Sequence, residues 1–199
     1  MSWPFIKSAA SFFDAKGQQI DPVDTLSDSP VIVLGDGISI TQVTPGKIAD
    51  SLYQYGHAPW TYFARRPDIG LVPLEIVDSN WTSTRGAPDL FPLKIKDEWI
   101  ASARFNGQPY TAIERFTATE SGVHQIEGWW EAAEETFAPY LRILHNGGKI
   151  FEADLLTNRA EVTALNVTLE SGDTLDFEIA PREPNGDGAA RRRIRIIGP

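Results

Sequence analysis

Histidines are few in this sequence and widely separated along it. The three histidines, His57, His124 and His145, lie in none of the patterns typical of a zinc protease, a nucleophile elbow or a catalytic triad. Cysteine is absent, which excludes a thiol nucleophile, disulfide bonds and zinc–thiolate sites. Acidic residues are plentiful, but a glycosidase needs two carboxylates facing each other across a cleft, a geometry that spacing along the chain does not define. These patterns favour a protein without enzyme activity.

Aromatic side chains are the residues best suited to a binding role. Their rings stack on the apolar faces of pyranose rings while Asp, Asn and Arg bind the hydroxyl groups. A partner protein would use the same residues as anchors, so they do not separate a glycan from a protein ligand. The tryptophans at 129 and 130 must point to opposite faces of a strand, so at most one of them lies in the core. The candidate ligand or partner surface comprises Trp60, Tyr62, Trp81, Trp129 and Trp130.

The segment WWEAAEETFAP, residues 129–139, places two tryptophans beside three glutamates. A solvated loop with one tryptophan in the core is the first interpretation, and a binding surface is the second. Glycan cleavage by the acids near Trp129–Glu135 is a distant third hypothesis.

A metal site is predicted only weakly, in the segment EPNGDG, residues 183–188. Asn185 and Asp187, together with main-chain carbonyls, would supply the oxygen ligands that calcium prefers. The spacing is not that of an EF-hand, and a glycine-rich turn is the alternative. No other cofactor is predicted.

Arginines cluster near the C-terminus, in an otherwise acidic chain. Arg193 and Arg195 share one face of a predicted strand, with isoleucines on the other face. We expect them to pair with carboxylates of a neighbouring strand, such as Asp176 and Glu178. The alternative is a surface for an acidic partner, either another subunit or an anionic glycan.

The elements that position these residues are short strands. Apolar segments recur between turns rich in Gly, Pro, Asn and Asp, with one helical turn predicted in residues 44–56. Leu165, Val167 and Leu169 alternate with polar residues, as expected of a half-buried strand. The pattern predicts an all-β fold, an antiparallel jelly-roll β-sandwich spanning residues 31–199.

Residues 1–30 are predicted to form an extended N-terminal arm. Aromatic residues are concentrated at its start and are followed by a polar stretch interrupted by prolines; a short helix over residues 5–13 would be too short to be stable alone. The arm would dock either on its own domain or on neighbouring protein subunits. Its anchoring residues would be Trp3, Phe5, Phe12 and Phe13.

Composition and charge restrict the partners. The net charge of −9 disfavours a nucleic-acid partner. No apolar run is long enough to cross a membrane, and the first residues lack the apolar core of a secretory signal. We therefore expect synthesis in the cytoplasm and no membrane partner.

Several segments of the C-terminal half share a pattern with known modules. The sequence ERFTATESG, the HNG turn, the hairpin LESGDTLDF and the loop containing Asn185 and Asp187 occur in this order. In this respect residues 99–197 resemble the galactose-binding-like jelly-roll modules, including carbohydrate-binding modules, of carbohydrate-active and cell-surface proteins. The resemblance implies a jelly-roll fold and, for some members, sugar binding. The matching segments are Phe116–Gly122, Asn146–Gly147 and Leu169–Phe177.

Two functions are predicted from these observations. A freestanding jelly roll with an aromatic arm is similar to phage capsid-decoration, adaptor and tail proteins, so the leading hypothesis is a non-enzymatic structural or adhesion component of a virion. The alternative is an independent carbohydrate-binding module whose partner is a glycan.

Overall fold

The structure is a computed structural model that describes residues 12–13, 19–20, 47–68, 70–78, 84–86, 93–105, 107–133, 138–155, 159–182 and 188–199. The chain divides into two compact units, Met1–Gly46 and Lys47–Pro199. In the first unit, β1 (Phe12–Phe13) pairs antiparallel with β2 (Gln19–Ile20). The helix expected over residues 5–13 therefore does not extend to Phe12, because Phe12 and Phe13 pair as a strand. The predicted boundary between residues 30 and 31 lies outside the described residues and stays a prediction.

The second unit is built of strands, whose bounds follow in chain order: β3 (Ile48–Asp50), β4 (Trp60–Arg66), β5 (Gly70–Pro73), β6 (Glu75–Asp78), β7 (Thr84–Gly86), β8 (Lys94–Lys96), β9 (Trp99–Ala101), β10 (Ala103–Phe105), β11 (Gln108–Thr117), β12 (Gly122–Ala132), β13 (Tyr140–His145), β14 (Gly148–Asp154), β15 (Arg159–Leu169), β16 (Thr174–Ala180) and β17 (Ala189–Ile197). The helical turn expected in residues 44–56 is replaced over its described part by β3 and a turn from residue 51 to residue 56. Across the described residues, no helix has the length and apolarity needed to span a bilayer.

These strands form two antiparallel sheets. Sheet I has the order β14-β13-β16-β11-β4-β5, with β10 also paired to β11. Sheet II has the order β15-β12-β17-β9-β8-β7-β6, with β3 also paired to β17. From β11 onward the chain passes repeatedly between the sheets: β11 lies in sheet I, β12 in sheet II, β13 and β14 in sheet I, β15 in sheet II, β16 in sheet I and β17 in sheet II. The predicted antiparallel β-sandwich of jelly-roll class is confirmed.

The inner faces of the two sheets share one apolar core. Along β15, Leu165, Val167 and Leu169 point inward between exposed residues, as the alternation predicts. Across the sandwich, the ring of Trp130 in β12 stacks on that of Phe177 in β16, with centroids 6.1 Å apart and planes 20° apart. This contact joins β12 of sheet II to β16 of sheet I.

A buried ion pair also joins the sheets. Glu114 of β11 and Arg192 of β17 are both fully buried, and the guanidinium donates from Nε and Nη2 to the two carboxylate oxygens at 3.0 and 3.1 Å. Arg192 Nη1 also donates to the main-chain carbonyl of Asp97. Burial raises the pKa of Glu114, and the charge of Arg192 opposes that rise. Arg192 is therefore an inward bridge between the sheets and is not part of an exposed arginine cluster.

The β13–β14 hairpin and the glycine turn between β15 and β16 are joined at one end of the sandwich; since β15 lies in sheet II and β16 in sheet I, the second turn is not the hairpin expected from LESGDTLDF. Asn146 and Gly147 turn β13 into β14 with positive φ angles of 47° and 81°. The side chain of Asn146 donates to Asp173 at 2.8 Å and accepts the main-chain N–H of Thr174 at 2.9 Å. His145 Nε2 lies 3.1 Å from the other oxygen of Asp173. These turns are therefore joined by a hydrogen-bonded network.

Candidate ligand-binding face

Three aromatic residues predicted to form a ligand surface lie in the core. Trp60, Tyr62 and Trp130 are 2%, 5% and 1% exposed. Strand alternation points them to the inner faces, where Trp60 packs at 5.7 Å from the ring of Phe116. The Tyr62 hydroxyl accepts the main-chain N–H of Gly56 at 2.9 Å. The prediction is wrong for these three residues because a buried ring cannot stack on a ligand.

Other predicted residues lie outside the described residues. They are Trp3, Phe5, Trp81, Asn185 and Asp187, together with the glutamates at 134 and 135. Phe12 and Phe13 form β1, and their role as arm anchors stays a prediction. Among the described residues, no group of three or more His, Asp or Glu side chains is placed to hold a metal ion.

Trp129 is the predicted aromatic residue that reaches the surface. It is partly exposed while Trp130 is buried, so the prediction that the two point to opposite faces is confirmed. The guanidinium carbon of Arg159 lies 4.6 Å from the centre of the Trp129 ring, within the range of a cation–π contact. Trp129 thus projects from the outer face of sheet II with its orientation fixed by an arginine.

The strand register defines the residues around Trp129. Direct partners on adjacent antiparallel strands share a face, which places Glu161 of β15 and Arg193 of β17 on either side of Trp129. The neighbouring rows add the pair Glu127–Arg195 and the row formed by Arg159, Glu131 and Arg191. We call this surface the Trp129 face; it comprises Glu127, Trp129, Glu131, Arg159, Glu161, Arg191, Arg193 and Arg195.

Ion pairs run across the Trp129 face. Arg159 Nε lies 2.6 Å from Glu161, and Arg195 Nη1 lies 3.1 Å from Glu127. Arg193 donates from Nε and Nη2 to one oxygen of Asp50, at 3.1 and 2.7 Å. Such partly exposed pairs stabilise the fold by about 1 kcal/mol or less each. They nevertheless hold the polar atoms of the face in defined positions.

The partners expected for Arg193 and Arg195 were wrong. Asp176 and Glu178 belong to β16 in sheet I, whereas Arg193 and Arg195 belong to β17 in sheet II. Asp176 pairs with Arg115 at 2.6 Å, and Glu178 pairs with Arg65 at 2.6 Å. Because the chain crosses between sheets from β16 to β17, these two consecutive strands are not neighbours in a sheet.

Tyr53 adds a second aromatic ring beside this face. It is 83% exposed, and the guanidinium carbon of Arg193 lies 5.2 Å from the centre of its ring. The turn that presents it is held by Asp50, whose other carboxylate oxygen accepts the N–H groups of Leu52 and Tyr53 at 3.0 and 3.3 Å. The hydrogen bond with Asp50 also raises the pKa of Arg193. An Asp directly before a turn is the sequence signal that could have found this site.

Trp99 is a further aromatic residue that the sequence reasoning did not select. It is partly exposed and is the direct partner of Arg191 between β9 and β17, which places it on the same side of sheet II as Trp129. The surface also contains a hollow of about 440 Å³ whose lining includes Trp129, Glu127 and Glu161. Sheet II therefore presents a shallow, polar outer surface with aromatic rings at intervals.

The similarity of this chain to known proteins is found among solved structures. No protein-family model matches the chain, and no curated protein matches it. Among solved structures, it is similar to a family 35 carbohydrate binding module from Clostridium thermocellum, with 14% identity, a TM-score of 0.35, and coverage of 70% of this chain and 92% of that one. It is similar to CBM35 from Cellvibrio japonicus Abf62, with 14% identity, a TM-score of 0.38, and coverage of 76% and 94%. A family 35 module from an environmental isolate gives 13% identity, a TM-score of 0.34, and coverage of 70% and 92%. At this level the similarity assigns no ligand or site to this chain.

Proposed function

We propose that this chain binds a carbohydrate through the Trp129 face. The single observation that supports the proposal most directly is the placement of a partly exposed tryptophan among ion-paired side chains on an open sheet surface. An aromatic ring takes the apolar face of a pyranose, while adjacent carboxylates and guanidinium groups bind its hydroxyl groups. Both kinds of group lie within one strand spacing of each other here.

The polarity of the face favours a sugar over a protein partner. The centre of a protein interface is usually depleted of charged residues and enriched in apolar contact area. The Trp129 face departs from this composition in its carboxylates, because Glu161 is a direct neighbour of the central ring and glutamate is depleted at such interfaces. A ligand with many hydroxyl groups can replace the water bound by these side chains without burying unpaired charge.

Binding without catalysis is the function that the carboxyl groups support. A general acid needs a raised pKa and contact with its substrate. Among the described residues, the carboxyl group whose pKa is raised is that of Glu114, which is fully buried against Arg192. The carboxylates of Glu127 and Glu161 are held by arginines. This arrangement suits hydrogen bonding to a ligand.

The test compares Trp129→Ala with Tyr140→Ala on a glycan panel followed by titration calorimetry. Tyr140 belongs to sheet I, and the guanidinium carbon of Arg182 lies 5.6 Å from the centre of its ring. Tyr140→Ala therefore removes the same kind of ring–guanidinium contact as Trp129→Ala, but from the other sheet. We expect Trp129→Ala to weaken binding at least about tenfold, which corresponds to ~1.4 kcal/mol. Tyr140→Ala should leave the affinity unchanged. Equal affinities for wild type and Trp129→Ala, with both folded, would exclude this face as the site.

The virion role predicted from the sequence depends on an arm whose predicted anchors include Trp3 and Phe5, which the structure does not describe. No observation on the described residues favours that role, so it stays a prediction of the sequence.

A further inference from the structure

Together with Asp50, the Trp129 face is balanced in charge. Its arginines at positions 159, 193 and 195 are matched by the carboxylates of Glu161, Asp50 and Glu127, to which they are bonded. Arg191 has Glu131 as its direct cross-strand partner. The number of cations therefore equals the number of anions around Trp129. A polyanionic ligand would have to displace the carboxylates bonded to Arg159, Arg193 and Arg195, and it would approach a chain whose net charge is −9.

Rings and guanidinium groups alternate across the strands of this face. Arg159 stacks on Trp129 at 4.6 Å, Arg193 is the cross-strand neighbour of Trp129, and Arg193 stacks on Tyr53 at 5.2 Å. The order of elements is β15, β12, β17 and the turn after β3, because β3 pairs with the far edge of β17 at Arg195–Asp50. β12, which carries Trp129, and β3, which leads into the turn of Tyr53, thus lie about two strand spacings apart, ~10 Å.

This distance exceeds the reach of a single sugar ring. A monosaccharide on Trp129 would leave Tyr53, a ring that is 83% exposed, without contact. A chain laid across the strands would meet both rings, and the ion pairs between them would bind its hydroxyl groups. The hollow on this face is a shallow surface depression, so its ends need not coincide with the ends of a ligand.

We propose that the Trp129 face takes an internal segment of a neutral glycan chain, laid across the strands from Trp129 to Tyr53. This inference rests on the proposed function and specifies its ligand. Trp129 supplies the principal platform, and Tyr53 supplies a second one that only a longer chain reaches.

The experiment is a length series at two salt concentrations. The neutral probes are β-1,4-linked gluco-, xylo- and manno-oligosaccharides from the monosaccharide to the hexasaccharide. Oligogalacturonides of the same lengths are the anionic probes for comparison. For at least one neutral series, we expect affinity to rise at least about tenfold from the monosaccharide before it becomes constant. Its change between low and high salt should be less than about twofold, since no net charge is neutralised. Capping the reducing end as a methyl glycoside should leave the affinity unchanged.

Tyr53→Ala tests the second platform. We expect it to remove most of the gain with chain length while leaving the affinity for the shortest bound ligand unchanged; Trp129→Ala should weaken all lengths. A monosaccharide bound as tightly as the hexasaccharide, or a preference for oligogalacturonides that falls steeply with salt, would overturn the inference while the proposed function stood. Absence of binding to every probe of the series would overturn the inference, and absence of binding to the whole glycan panel would overturn both.

Discussion

At the scale of single residues, the phase of strand alternation decides which aromatic rings can bind a ligand. Ile126 lies between Gln125 and Glu127, so counting by twos from Ile126 places Trp130 inward and Trp129 outward. The sequence predicted that one of the two tryptophans faces outward. Deciding which tryptophan faces outward requires the phase of the alternation. The phase of β4 likewise decides that Trp60 points inward.

The ring of Trp130 leaves no room for a side chain at Gly128. A Cβ added at Gly128 would lie 2.7 Å from the Trp130 ring and 2.9 Å from the main-chain oxygen of Arg193. We therefore expect Gly128→Ala to displace that ring from Phe177 and to lower the free energy of unfolding by about 1–3 kcal/mol. Urea denaturation followed by tryptophan fluorescence measures the loss.

The control is Val123→Ala, on the same strand at a position that is 59% exposed, which should change stability by less than about 0.5 kcal/mol. If Gly128→Ala unfolds at the same urea concentration as the wild type, the close approach of Trp130 to its own strand is not present in solution.

At the scale of elements, the turns after β13 and β15 were the most predictable part of the chain, although only the first of them closes a hairpin. Glycine and asparagine in the turns after β13 and β15 located them, because positive φ angles at Asn146, Gly147 and Gly172 require such residues. The short strand β3 was instead assigned to a helical turn. Three residues are too few to show a period, and β3 is defined by its pairing with β17, from which it is far in sequence.

Asp173 gives the hydrogen-bonded network between these two turns a pH dependence. Its pKa is lowered from its ordinary value of 3.8 to about 2, first by the main-chain N–H of Glu170 and then by the side chains of Asn146 and His145. Because the folded state favours the ionised form, this stabilisation is present above pH 3.8 and is lost as the pH falls towards 2. We expect Asp173→Asn to lower Tm at pH 7 and the gap from the wild type to close over that interval.

Thermal unfolding followed by circular dichroism between pH 7 and pH 2 measures this gap. Glu170→Gln removes an exposed carboxyl from the same turn and controls for the change in net charge. A gap for Asp173→Asn that stays constant as the pH falls would show that the loss of stability does not arise from ionisation of Asp173.

At the scale of the whole molecule, composition and alternation predicted an antiparallel sandwich, but they could not predict which side chains meet across it. The partners assigned to Arg193 and Arg195 were wrong because the chain changes sheet between β16 and β17. The contact between Glu114 and Arg192 joins residues 78 positions apart and has no local signal. Which side chains pair between the sheets depends on the order of the strands, and local patterns in a single sequence do not reveal that order.

The pair formed by Glu114 and Arg192 provides a test of how the two sheets are held together. Removing one partner leaves the other charge buried and unpaired, so Arg192→Met should lower the free energy of unfolding by about 3–5 kcal/mol. Replacing both partners with apolar residues, as in Glu114→Leu with Arg192→Met, removes both buried charges and should restore most of that loss. Urea denaturation of the four proteins of this double-mutant cycle measures the coupling. A double variant as unstable as the sum of the two single variants would mean that the two side chains contribute independently, and the ion pair would then not be what links sheet I to sheet II.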